Sequence, residues 1–180
     1  ERLEDELRNA IASGDPSQGR VTRLEGWSRD QAETLVAETG VREGYALLVG
    51  ADVRTATALA WKSDLHVILL LRSPRAAAEA RVRLRTTDLY GTRVAVRCEP
   101  MPSTLPFASY FADLVLVSDP SGLDGGEPYR VVRPCGGVLR FGAAAAGAAD
   151  ALLARGRAPG DTIRRDARGV TVVRGPLPGA

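Results

Sequence analysis

The side chains in this 180-residue chain that could do chemistry are few, and their counts exclude several familiar arrangements. His66 is the only histidine. A Ser-His-Asp triad or a histidine-based metal site could be built only around it, and no partner motif accompanies it. It stands at the start of an apolar run and reads as structural. Cys98 falls in a predicted strand and Cys135 beside a Gly pair. With no CxxC and no Cys/His cluster, no metal site is expected. What remains is a set of carboxylates in loop positions: Asp52, Glu99 and Asp119. Asp119 lies in Ser118-Asp119-Pro120-Ser121-Gly122, a turn sequence whose carboxylate suits capping the loop as well as meeting a substrate.

Composition narrows the partners. Hydrophobic residues make up 44% and charged residues 26%, a globular mixture, and the length fits one domain with a real core. The net charge is only +2, from 24 basic and 22 acidic residues. Lys62 is the only lysine, an arginine bias of the kind a GC-rich genome produces. Arg54, Arg72, Arg81, Arg97, Arg130 and Arg155 are scattered rather than gathered with aromatics in a stripe, so no nucleic-acid partner is indicated. No apolar run reaches the length of a membrane span. The first residue is Glu1 rather than Met, as expected of an excised piece.

The elements that must position these residues follow from periodicity. Residues 1–12 read as an amphipathic helix with Leu3, Leu7 and Ile11 on one side, broken at Gly14-Asp15-Pro16-Ser17. A second helix starts at Ser28 as N-cap, with Gln31 completing a capping box, and stops at Gly40. Continuous apolar runs at 45–50 and 65–71 read as strands buried on both faces, as in a parallel sheet. Between them 54–62 is helical. Ser73-Pro74 opens a further helix, with Ala77, Ala80 and Leu84 inward. Strands follow at 93–98, 113–118 and 137–141, with a short helix at 127–132 and an alanine-rich helix at 143–154. Strands at 162–165 and 170–174, joined by Asp166-Ala167-Arg168-Gly169, read as a hairpin. This alternation argues for an α/β fold with a parallel sheet between helical layers.

These residues resemble class I S-adenosylmethionine-dependent methyltransferases. The stretch Phe111 to Ser118 is similar to the "FDLV" fourth strand of that family, and Tyr129 to Gly137 to its "LxxVLRPGG" segment. A narrower resemblance, carried by 39–45, 89–94, 133–137 and 174–180, is to methyltransferase-like domains fused to pyrroloquinoline-quinone-type β-propellers in planctomycete-like proteins. It covers roughly residues 30 to 180. The resemblance implies a Rossmann-like methyltransferase fold: a seven-stranded, mostly parallel sheet, a C-terminal antiparallel hairpin, and helices on both faces. It divides the chain into an N-terminal helix and linker (1–27), the methyltransferase-like domain (28–174) and a linker (175–180) toward a following domain. In that group "RGPLPGA" leads into propeller sequence, which makes an adjacent β-propeller the implied partner.

The same resemblance says where a cofactor would sit, and three of its contacts are altered. The family shows G-x-G-x-G after the first strand, where glycines let backbone approach the methionine part closely. Aligned on Asp52 and Arg54, those positions hold Val49, Ala51 and Val53, with only Gly50 nearby. Valine disfavours positive φ, so the loop must be remodelled or the cofactor cannot sit as usual. At the end of the second strand an acidic residue should accept the ribose hydroxyls. Here stand Leu71 and Arg72. After the third strand an Asp should meet the adenine amine. Here the chain reads Cys98-Glu99-Pro100-Met101, where Glu99 is either a shifted substitute or a solvated loop residue. Gly50, Ala51, Asp52, Leu71, Arg72, Glu99, Met101 and Ser118 are therefore the candidate cofactor-binding residues, and Asp119 the candidate substrate residue. No catalytic residue and no metal is assigned.

Two functions follow as expectations. The first is a degenerate, non-catalytic domain acting as a structural or interaction module in a larger protein. The alternative is an active methyltransferase with an atypical cofactor loop. Its direct displacement on a sulfonium methyl would rest on positioning rather than on an obligatory acid or base. S-adenosylmethionine is the one cofactor in question, and no cofactor at all remains open. A nucleotide-binding oxidoreductase ranks last, since no G-x-G-x-x-G is present.

Overall fold

The computed structural model describes residues 30, 32–100, 103–154, 158 and 160–177. The expected helix over 1–12, the Ser28 cap, Gln31 and Met101 lie outside these residues.

A helix over 32–39 (α1) precedes β1 (Glu43–Val49), α2 (Val53–Lys62), β2 (Asp64–Leu71), α3 (Pro74–Leu84) and β3 (Val94–Cys98). Then come β4 (Leu114–Val117), α4 (Glu127–Val131), β5 (Val138–Gly142), α5 (Ala146–Leu153), β6 (Thr162–Asp166) and β7 (Gly169–Val173). The seven strands form one sheet in the order β3-β2-β1-β4-β5-β7-β6. The first five are parallel, and β7 enters antiparallel between β5 and β6. This is the expected seven-stranded, mostly parallel architecture with its terminal hairpin.

Burial explains why the central strand sequences are so apolar. All four residues of β4 are buried. Leu114 and Leu116 face a core shared with Leu35 and Val36 of α1, Leu59 of α2, and Ala77, Ala80 and Leu84 of α3. Val115 and Val117 face the other core, with Tyr129 and Val131 of α4 and Ala149 and Leu153 of α5. Helices on both faces leave no side for polar residues, which is the pattern of a covered parallel sheet.

Local differences from the sequence reading have local causes. β1 begins earlier and ends at Val49, because Gly50 turns with φ +68°. Asp113 and Ser118 fall just outside β4, although their backbones still bond to the neighbouring strands; the Asp113 carboxylate also accepts from the backbone N–H of Tyr45 at 2.8 Å. The alanine-rich helix opens with a 3-10 turn over Ala143–Ala145 before α5. In the hairpin Asp166 and Gly169 are themselves paired, so the turn is Ala167-Arg168 alone. Arg174 is buried, and Gly175 bonds through its N–H to Asp161 and through its carbonyl to Cys135. Among the described residues no helix is long and apolar enough to cross a membrane, and no group of His, Cys, Asp and Glu is placed to hold a metal.

Candidate ligand crevice

Sheets of this kind place ligands outside the carboxyl ends of the strands, where the strand order reverses. Here the chain runs outward from β1 to β2 and β3 on one side, and from β4 onward on the other. The crevice is therefore bounded by the loops after β1, β2 and β4.

Gly50 forms the tip of β1. Its N–H donates to the carbonyl of Leu70 at 2.9 Å, and its φ of +68° is the left-handed region that suits glycine. A Cβ at this position would lie 2.5 Å from the Cβ of Asp119. The loop after β4 thus rests directly on the loop after β1, held by Ser118 N–H donating to the Val49 carbonyl at 2.9 Å.

Asp52 is committed to helix structure. As the N-cap of α2 it accepts from the Arg54 backbone N–H at 2.8 Å. Its two oxygens also take Arg54 Nε at 3.0 Å and Nη2 at 2.6 Å. The hydrogen-bonded Arg54 side chain holds the Asp52 carboxyl below the usual carboxylate range. Ala51 and Leu71 are apolar packing: Ala51 is buried in the core beneath α2, and Leu71 packs against the same cluster. The Leu71 carbonyl accepts from the Glu99 N–H at 2.9 Å, extending the ladder by one rung. Glu99 pairs at 3.7 Å with Arg97, both substantially exposed.

Arg72 and Asp119 meet inside the crevice. Asp119 Oδ1 accepts from Ser121 twice, from its Oγ at 2.6 Å and its N–H at 3.0 Å, the turn-capping arrangement its sequence context permits. These bonds, the Ser121 hydroxyl first, lower the Asp119 carboxyl. Asp119 Oδ2 lies 3.8 Å from Arg72 Nε, an ion pair too long to be a hydrogen bond. Nε and Nη2 of Arg72 are buried and have no hydrogen-bond partner.

The structure therefore brings Gly50, Arg72, Ser118 and Asp119 together, with Asp52 on the adjoining turn. It places Ala51 and Leu71 in the core and Glu99 on the surface with Arg97. The orphaned guanidinium was not foreseeable from Arg72's type; only its place at the end of Leu65–Leu71, where an acceptor is expected, set it apart.

S-adenosylmethionine does not fit these residues well. Arginine carries donors only and cannot replace a ribose-accepting carboxylate. A guanidinium whose only ion pair is the long one to Asp119 also disfavours a ligand that carries a sulfonium charge.

No protein-family model matches the chain, and no curated protein matches it. Solved structures do match. A Methanococcus maripaludis protein provisionally assigned as an S-adenosyl-L-methionine-dependent methyltransferase superposes with a TM-score of 0.63 at 15% identity, over 84% of this chain and 86% of that one. A Corynebacterium glutamicum protein gives the same TM-score at 16% identity over 97% of this chain and 98% of its own. A geranyl diphosphate methyltransferase in complex with SAM gives 0.55 at 20% identity, over 71% of this chain and 54% of that enzyme. In architecture, then, this chain is similar to Rossmann-like, S-adenosylmethionine-dependent methyltransferases.

Proposed function

We propose that the chain is a methyltransferase-like domain that does not transfer methyl groups and serves as a structural or interaction module in a larger protein. The observation that carries this reading is at the end of β2. Leu71 is spent on apolar packing, and the next side chain into the crevice is a guanidinium with two buried, unpartnered N–H groups. Two further features support it. Asp52 already accepts three hydrogen bonds, from its cap and from Arg54. Ala51 and Val53 stand where the family has glycines, one in the core and the other as the first residue of α2. An adjacent β-propeller is the partner that the Arg174–Ala180 segment implies by resemblance.

The competing reading is an active methyltransferase with an atypical loop. It draws on the one glycine kept at the tip of β1 with positive φ. Calorimetric titration with S-adenosylmethionine and S-adenosylhomocysteine separates the two. The module reading expects no heat of binding at millimolar ligand. Tight one-to-one binding of either compound overturns it and favours the enzyme.

A further inference from the structure

Other arginines at least partly buried in this fold donate to protein acceptors, although Nε of Arg174 is also left without a partner. Arg130 donates to Glu127 and to the carbonyls of Leu105 and Phe107. Arg140 meets Asp166 and Thr171. Arg174 donates to the carbonyls of Tyr129 and Val132 and lies 4.0 Å from the Tyr129 ring centre. Arg72 makes none of these bonds. Leaving a charged donor buried without an acceptor is costly, and such groups in native proteins mark a role or a missing ion.

The two orphaned groups are Nε and Nη2, which form one edge of the guanidinium with two parallel N–H vectors. That edge matches two oxygens of one phosphate or carboxylate. The nearest oxygen of the chain, Asp119 Oδ2, stops at 3.8 Å, while Oδ1 is held by Ser121. Asp119 fills the space over Gly50, so an anion reaches this edge only by displacing the Asp119 side chain, while residue 122, a glycine, adds no side chain of its own. A Cβ on residue 122 would approach Arg72 Nη1 to 3.5 Å. Access runs past Asp119, whose side chain is 44% exposed on a turn that ends at Gly122.

We propose that the crevice at the carboxyl ends of β1, β2 and β4 binds an oxyanion, a phosphate monoester or a carboxylate, on the Nε–Nη2 edge of Arg72. Asp119 acts as the internal competitor that sets its affinity. The crevice thus keeps a ligand site while its preference shifts from a cationic cofactor to an anion. This inference goes beyond the module reading and does not need it, because a non-catalytic domain and an enzyme could each hold an anion there.

The test uses the full chain labelled with nitrogen-15, following the Arg72 Nε–Hε resonance while inorganic phosphate, and separately acetate, replaces chloride at constant ionic strength. A saturable shift is expected. Phosphate alone producing it identifies a phosphate-bearing ligand, acetate alone a carboxylate, and both the shared chemistry. Asp119→Asn removes a like charge from the anion's place and should tighten binding roughly tenfold. Arg72→Gln should abolish saturable binding, read by calorimetry after its melting curve shows that it folds. If Arg72→Gln does not fold, the Asp119→Asn titration decides. No saturable shift with either anion, in both the native chain and Asp119→Asn, overturns the proposal. So does unchanged binding in Arg72→Gln. S-adenosylmethionine binding would sink the module reading and leave the phosphate result standing on its own.

Discussion

Gly50 and Asp119 are in direct contact: the space a side chain would need at residue 50 is already filled by Asp119, whose Cβ lies 2.5 Å from the ideal Cβ position. Two loops from different parts of the chain are thereby locked face to face at the rim of the crevice. Gly50→Ala combines this collision with a φ of +68° that L side chains rarely adopt. It should destabilise the fold by about 2–4 kcal/mol, the upper range for single substitutions. Denaturant unfolding measures this directly. Pairing it with Asp119→Gly should recover the steric part but not the conformational part, so the double-mutant cycle should be non-additive.

A second interlock holds the amino-terminal ends of β1 and β4, at the opposite end of the strands from Gly50. The Asp113 carboxylate accepts from Tyr45 N–H at 2.8 Å and pairs with Arg133 at 2.5 Å. A Cβ on Gly44 would come within 2.0 Å of Asp113 Oδ2, and Gly44 has φ +93°. Asp113→Ala removes the acceptor and leaves the Tyr45 N–H with access only to what water can reach. A loss of about 1–3 kcal/mol is expected from calorimetric or denaturant melting. An unchanged midpoint would mean that the buried carboxylate contributes nothing.

The described residues between β3 and β4 form no helix, and the Glu127–Arg130 ion pair of α4 is one of their fastenings. Glu127 accepts from the Leu105 N–H at 2.7 Å and takes Arg130 at 2.7 Å, while Arg130 reaches back to the Leu105 and Phe107 carbonyls. Arg130, hydrogen-bonded to it, holds the Glu127 carboxyl below its ordinary value of 4.5. A carboxylate lowered on folding stabilises above its unfolded pKa, and that stabilisation is lost as pH falls through the folded value. The segment should therefore loosen in acid below about pH 4. Amide exchange at Leu105 should accelerate there, and Glu127→Gln should show the faster exchange already at neutral pH. Equal exchange rates in the two proteins at neutral pH would remove the clamp.

Asp52 offers a separation of structure from ligand chemistry. Asp52→Ala loses an N-cap, worth about 1 kcal/mol. Asp52→Ser keeps a capping oxygen and should restore most of the stability without restoring the pair with Arg54. If instead Asp52→Ser stays as unstable as Asp52→Ala, the Arg54 pair rather than the cap is the source of the effect.

Periodicity and the Pro/Gly punctuation made the fold legible. Doubly buried strands must be apolar at every position, so 45–50, 65–71 and 113–118 stand out as runs, and Ser73-Pro74 and Gly40 mark helix ends by their own conformational preferences. The antiparallel hairpin was equally local, although its turn proved two residues shorter at the ends than the sequence Asp166-Ala167-Arg168-Gly169 implied, because Asp166 and Gly169 complete the ladder. The boundaries near residues 50, 113 and 118 were not legible, since each is set by a contact with a distant segment: Gly50 with Leu70 and Asp119, Asp113 with Tyr45, and Ser118 with Val49. The same holds for the crevice. The sequence by itself determined that Leu71 cannot accept a hydrogen bond and that Val49, Ala51 and Val53 replace glycines, because those are properties of residue types. Only the tertiary structure decided that Arg72 keeps two buried N–H groups unpaired. Whether a donor is satisfied depends on which atoms the fold brings within hydrogen-bond reach, and no spacing along the chain encodes that.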